Sequence, residues 1–172
     1  VGGTPSYIVA QGTGATAVAC GGTSKHSCAV VNGGIQCFGS DNTDGQLGDG
    51  STTASPSAPV VAVPSGSGAS AIVVLGISSC AIVNGGVQCW GRNNVGQLGD
   101  GSTTTRHSPI VAISPDSGTL QIAMGDGAAS DDNVCAVVED KIWCWGSNFF
   151  GHLGDNNTTT TQSSPVSALL LP

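Results

Sequence analysis

The chain repeats itself, and the repeat limits what it can fold into. Cys28-Ala29-Val30-Val31-Asn32-Gly33-Gly34-Ile35-Gln36-Cys37-Phe38-Gly39 returns as Cys80-Ala81-Ile82-Val83-Asn84-Gly85-Gly86-Val87-Gln88-Cys89-Trp90-Gly91. It returns more loosely as Cys135-Ala136-Val137-Val138-Glu139-Asp140-Lys141-Ile142-Trp143-Cys144-Trp145-Gly146. A glycine-rich tail follows each copy: Gly45-Gln46-Leu47-Gly48-Asp49-Gly50, Gly96-Gln97-Leu98-Gly99-Asp100-Gly101 and Gly151-His152-Leu153-Gly154-Asp155-Asn156. The first hairpin cysteines stand 52 and then 55 residues apart. Self-similarity at such a period belongs to solenoids, propellers and arrays, in which each unit buries its apolar face only against a neighbour.

Asn-Gly between two apolar runs is the strongest short signal for a two-residue hairpin turn. With Asn32-Gly33 at the turn, Val31 faces Gly34, Val30 faces Ile35, Ala29 faces Gln36 and Cys28 faces Cys37. The cysteines then share a non-hydrogen-bonded rung, where opposed side chains come closest, a separation that disulfide geometry accepts. The same count pairs Cys80 with Cys89 about Asn84-Gly85, and Cys135 with Cys144 about Glu139-Asp140. Three bridges inside three hairpins imply an oxidising compartment, so the chain is expected to be secreted or displayed at a cell surface. The spacing lacks the paired C-x2-C knuckles of structural zinc sites. The seventh cysteine, Cys20, lies in the apolar run Ala17-Val18-Ala19 and is expected to be a free, buried thiol acting as a small hydrophobe.

Other runs recur around each hairpin. Upstream lie Ala17-Val18-Ala19-Cys20, Ala71-Ile72-Val73-Val74-Leu75 and Leu120-Gln121-Ile122-Ala123-Met124. Downstream come Pro59-Val60-Val61-Ala62-Val63, Pro109-Ile110-Val111-Ala112-Ile113 and Pro165-Val166-Ser167-Ala168-Leu169. A strand opened by proline suits a sheet edge, where the missing N–H does no harm. Each repeat thus supplies four short strands, the content of a propeller blade. The expected units are 16–66, 67–115 and 116–172, with 1–15 holding a leftover edge strand of a preceding blade.

Composition narrows the function. Only 9% of residues are charged and 27 are glycine, which suits strands buried on both faces and joined by tight turns. The net charge is −7, and the four basic residues, Lys25, Arg92, Arg106 and Lys141, are scattered. No cationic stripe is available to neutralise a phosphate backbone, so nucleic acid is excluded as an expected partner. No apolar run approaches the roughly 20 residues of a membrane-spanning helix, and membrane insertion is not expected. A chain that begins at Val1 is expected of a processed protein or of a piece of a larger one.

The order of Cys-Ala hairpin strand, Cys-Trp-Gly, Asn-rich turn, Gly-Gln-Leu-Gly-Asp-Gly, then Ser-Pro and an apolar strand resembles the regulator-of-chromosome-condensation repeat. The resemblance covers about residues 16–172. It implies a β-propeller, usually seven-bladed, and makes Gly45, Gly48, Gly96, Gly99, Gly151 and Gly154 structural positions. The third copy departs from the pattern with His152 for Gln, Asn156 for Gly and Glu139-Asp140 for Asn-Gly. The fold class expected is all-β: an array of four-stranded antiparallel blades that three repeats cannot close into a ring.

Chemistry is sparse. His26, His107 and His152 belong to no nucleophile-elbow motif, and the tails lack the Gly-Lys-Ser/Thr of a phosphate loop. The acids at 41, 44 and 49 miss the calcium-loop spacing. No catalytic residue, metal site or cofactor is expected, and the chain is read as a non-enzyme. Phe38, Trp90 and Trp145 recur in phase and mark packing between blades, whereas Trp143, Phe149 and Phe150 do not recur and are candidate contact aromatics. Asn156 and Asn157 each begin an N-x-Thr glycosylation acceptor. The expected function is assembly by self-association into a ring or filament, with other copies of the chain as the protein partner. The alternatives are a secreted binding module, such as an enzyme inhibitor or adhesin, and an excised part of a larger propeller.

Overall fold

The structure, a computed structural model, describes residues 12, 14–21, 25–125, 131–158 and 161–169. The edge strand expected from Pro5 to Ala10, and most of the third repeat's surplus near 126–130, lie outside the described residues.

Twelve strands form three antiparallel meanders. The first sheet holds β1 (Ala15–Cys20), β2 (His26–Val31), β3 (Gly34–Gly39) and β4 (Ser55–Val63) in that order. The second holds β5 (Ala69–Leu75), β6 (Ser78–Val83), β7 (Gly86–Gly91) and β8 (Arg106–Ile113). The third holds β9 (Thr119–Gly125), β10 (Asn133–Val138), β11 (Lys141–Gly146) and β12 (Gln162–Ser167). Among the described residues there is no helix. The sheets stack face to face as blades, with β1, β5 and β9 adjacent across the seams and β4, β8 and β12 at the opposite edge. The array does not close on itself.

The central hairpin of each blade has the register that the cysteines and the turn require. Val31 pairs with Gly34, Ala29 with Gln36 and Cys28 with Cys37, and the same rungs recur in the other two blades. Asn32 and Gly33 take φ of 49° and 68°, and Asn84 and Gly85 take 48° and 68°. Positive φ at both central residues is the type I′ condition, whose twist matches that of the flanking strands. The bridges Cys28–Cys37, Cys80–Cys89 and Cys135–Cys144 all form, each with Cα atoms 4.1 Å apart. That separation identifies the close rung of an antiparallel pair. Each bridge closes a loop of about ten residues, for which chain entropy gives roughly 2–3 kcal/mol.

The prolines sit differently from expectation. Pro59, Pro109 and Pro165 lie inside the edge strands rather than at their start. Each falls where the register with the neighbouring strand shifts, between the Cys37 and Gly39 pairings in the first blade and at the cognate places in the others. A bulge leaves a backbone N–H without a ladder partner, so a residue lacking one is accommodated there.

Two apolar clusters fill the two seams. Cys28, Val30, Ile35, Cys37, Leu47 and Val63 of the first blade meet Ile72, Val74, Ala81, Val83 and Trp90 of the second. Cys80, Ile82, Val87, Cys89 and Leu98 of the second meet Ile122, Val134, Ala136 and Trp145 of the third. Two of the disulfides are therefore core residues of a seam as well as staples within a blade. Side chains alternate across a strand, so a central blade spends both faces on seams. This is why β6 is buried at every position.

Cys20 contradicts its sequence expectation, being a free thiol that is exposed. In β1 it is Ala17 and Ala19 that pack on the first seam. Alternation turns Cys20 the other way with Val18, which is 69% exposed. An apolar run shows that a strand exists, but not which of its faces finds a neighbour.

Candidate interface: the blade seams and the face of the third blade

Blades are joined by a polar contact as well as by apolar packing. Trp90 Nε1 donates to the Gln46 carbonyl at 2.9 Å, and Trp145 Nε1 donates to the Gln97 carbonyl at 3.0 Å. Both indoles are fully buried, so the N–H needs an acceptor, and the tail of the preceding blade supplies it. The tail glycines make room. A Cβ on Gly48 would stand 2.7 Å from Trp90 Nε1, and one on Gly99 would stand 2.8 Å from Trp145 Nε1. A second backbone clasp recurs beside this one: Gly50 N–H donates to the His107 carbonyl and Gly101 N–H to the Ser163 carbonyl, both at 2.8 Å.

A buried asparagine shapes each tail. Asn42 Oδ1 accepts the Leu47 amide at 2.9 Å while Nδ2 donates to the carbonyls of Ser51 and Thr53. Asn93 does the same with Leu98, Ser102 and Thr104. Asn148 accepts from Leu153 at 3.1 Å and donates to Asp155 Oδ1 and the Asn157 carbonyl. All three asparagines are buried. Their signal in the sequence is a fixed position five residues before the tail leucine, which the Asn-rich look of the turn concealed.

Carboxylates close the polar loops. Arg106 binds Asp100 through Nε at 2.9 Å and through one terminal nitrogen at 2.7 Å. Burial pushes the Asp100 carboxyl up, but the Ser102 hydroxyl, the Arg106 guanidinium and the Ser102 amide outweigh it and hold the group below its ordinary value. Asp41 is also lowered, first by the Thr43 amide. The two seams differ in their buried polar groups. Gln97 Nε2 reaches Asn94 Oδ1 at 3.2 Å and Asp132 Oδ2 at 3.3 Å in the next blade. Across the first seam Gln46 Nε2 makes no such bond; Ile77 stands at the place of Asp132 and Thr43 at that of Asn94. The first seam instead carries a buried contact between His26 Nε2 and Ser79 Oγ at 2.9 Å.

The third blade completes its own tail but meets no further blade. Leu153 is fully buried, and Asn148 accepts its amide as the cognate asparagines do. Among the described residues, a Cβ on Gly154 would meet only Ala168, at 3.5 Å, and one on Gly151 only Thr158. Phe149 and Phe150 are 57% and 74% exposed, with the Phe150 ring 5.6 Å from that of His152. Val95, the cognate of Phe150, is buried. Trp143 is half-buried and lines a groove of about 250 Å³ with Ile113, Val138 and Pro165. A cognate groove of about 400 Å³ at the first seam has Gln88 in its place. Asn156 is exposed, with φ of 62°, and Asn157 is half-buried. His107 serves through its backbone carbonyl, and no group of three or more potential metal ligands gathers among the described residues.

Residues 84–129 match the family model of the regulator of chromosome condensation (RCC1) repeat. The ultraviolet-B receptor UVR8 of Arabidopsis thaliana is 28% identical over 137 residues, which cover 78% of this chain and 30% of the receptor. The human E3 ubiquitin-protein ligase HERC2 is 32% identical over 117 residues, covering 64% of this chain and 2% of the ligase. The chain thus spans less than a third of the length of either relative. Among solved structures, human WBSCR16 superposes with a TM-score of 0.72 at 21% identity, covering 89% of this chain and 37% of that one. Prp20p from Saccharomyces cerevisiae, described with its binding to Gsp1p and histones, gives 0.71 at 16% identity over 91% of this chain and 38% of its own. At these identities the superpositions speak for the fold alone. Repeat, register and blade geometry agree with the match: the chain carries an RCC1-like repeat, and its three sheets have the blade fold of an RCC1-like propeller.

Proposed function

We propose that the chain works as a non-catalytic binding and assembly module, three stapled blades whose outer faces take up further protein, in an oxidising compartment. The observation that carries this is the third tail. Like the other two it has a buried leucine whose amide is held by a buried asparagine, Leu153 on Asn148, yet among the described residues no further blade covers it, and Phe149 and Phe150 stand exposed. Unfilled apolar surface of this kind favours a partner. The bridges are compatible with an oxidising environment, and four scattered basic residues against a net charge of −7 leave nucleic acid without a surface. Proteins are the partner class that the end faces suit, either further blades of the same kind or copies of this chain. The mass of the particle in its native medium tests the reading. A mass well above the 16.8 kDa of one chain is expected, and a particle of single-chain mass refutes it.

The exposed Phe149-Phe150 pair favours a second reading, in which the rim loop itself grips a heterologous protein, as an inhibitor or adhesin would. Aromatic anchors are typical interface hot spots. Replacing both with serine then abolishes capture of that partner from the native medium while leaving the fold intact; unchanged capture rules the reading out.

A further inference from the structure

We propose that the third tail is a seat for one more RCC1-like blade whose hairpin closes with Cys-Trp-Gly, and that this chain's own first blade does not fill it. The inference rests on the assembly reading above and specifies its partner. Within the molecule the seam has been built twice, and its polar element is the same both times. An indole N–H from the following blade reaches the carbonyl of the second tail residue, Gln46 or Gln97, through the gap left by the fourth, Gly48 or Gly99. The third tail keeps the carbonyl at His152 and the gap at Gly154, where among the described residues a Cβ would touch only Ala168 of the same blade. Asn156 keeps the backbone N–H that its cognates Gly50 and Gly101 donate to the next edge strand.

The place is selective because the acceptor is buried once a blade covers it. A carbonyl taken out of water without a donor costs the full desolvation of that group, while a paired one is close to neutral or favourable. Head-to-tail stacking of identical copies would bring Phe38, the cognate of Trp90 and Trp145, against the His152 carbonyl, and phenylalanine has no N–H to give. Ser27, the cognate of Ser79, would offer only the long second contact that Ser79 Oγ makes with the Gln46 carbonyl at 3.4 Å. Identical copies therefore meet with an unpaired acceptor at the centre of the contact, and a tryptophan-bearing blade does not.

The full chain with Phe38→Trp tests this by sedimentation velocity, with wild type, Phe38→Leu and the double variant Phe38→Trp/Gly154→Asn alongside. Asparagine tolerates the left-handed conformation at position 154 and fills the gap. Phe38→Trp is expected to self-associate about tenfold more tightly than wild type, Phe38→Leu no more tightly than wild type, and the double variant to lose the gain. Wild type that associates as tightly as Phe38→Trp overturns the tryptophan requirement while leaving the assembly reading intact. A Phe38→Trp chain that associates no better than wild type overturns it as well. Failure of the assembly reading shows elsewhere, as a native particle of single-chain mass. Should Phe38→Trp not fold, Trp90→Phe measures the same donor inside an existing seam: the folding equilibrium constant is expected to fall about tenfold, and an unchanged constant removes the premise.

Discussion

Glu139 holds a backbone conformation that asparagine holds in the other two hairpins. Its φ is 56°, against 49° at Asn32 and 48° at Asn84. Left-handed backbone places Cβ too close to the following carbonyl, and asparagine tolerates this better than glutamate. Glu139→Asn is therefore expected to stabilise the chain by roughly 0.5–1 kcal/mol, read as a higher midpoint in urea with an unchanged slope. Asp100 sets a pH limit. Its carboxyl titrates lower in the folded chain than the ordinary value, so the charged form favours folding. That contribution is complete above about pH 4–5 and is lost as the pH falls through the folded value. The melting temperature should hold level from pH 7 to about 5 and fall below about 4, and Asp100→Asn should flatten part of that fall. An equally steep fall in the variant would show that other carboxylates carry it.

The blade was legible in the sequence where local chemistry determines geometry. Asn-Gly turns and paired cysteines specify a register, and the twelve strands follow from it. The seam was not legible, because its bond joins an indole to a backbone carbonyl 44 or 48 residues away, and a carbonyl has no signature in a sequence. Cys20 shows the same gap from the other side, since alternation locates two faces without saying which one is covered. The tail asparagines were hidden for a third reason: Asn is common in turns, so burial at 42, 93 and 148 cannot be told from exposure by type. Two substitutions weigh the seam. Gly99→Ala puts a Cβ 2.8 Å from a buried indole and should cost about 2–4 kcal/mol, as overpacking adds to backbone strain. Gly66→Ala, also left-handed at φ 78° but with nothing within 4 Å of its Cβ, should cost only about 1–2 kcal/mol. Asn93→Ala leaves the Leu98 amide and two carbonyls without their partner and should cost about 2–4 kcal/mol. Equal losses for the two glycines would mean that the seam tolerates a methyl and that conformation alone explains the tails.

At the scale of the whole molecule, stability is a sum over blades and the seams between them, as in other repeat arrays. Each seam packs residues of correctly registered hairpins, and the cross-strand sulfurs help to hold that register. Reduction of all three bridges is expected to lower stability by several kcal/mol, at about 2–3 kcal/mol for each ten-residue loop. The sulfurs of the first two bridges also line seams, so reduction should loosen contacts between blades as well as within them. Peptide mapping under non-reducing conditions reads the arrangement without any variant. The expected map has three links, Cys28 to Cys37, Cys80 to Cys89 and Cys135 to Cys144, with Cys20 alone taking up alkylating reagent in the folded protein. Links that join different blades, or free thiols at the hairpin positions, would contradict a molecule built from separately stapled blades.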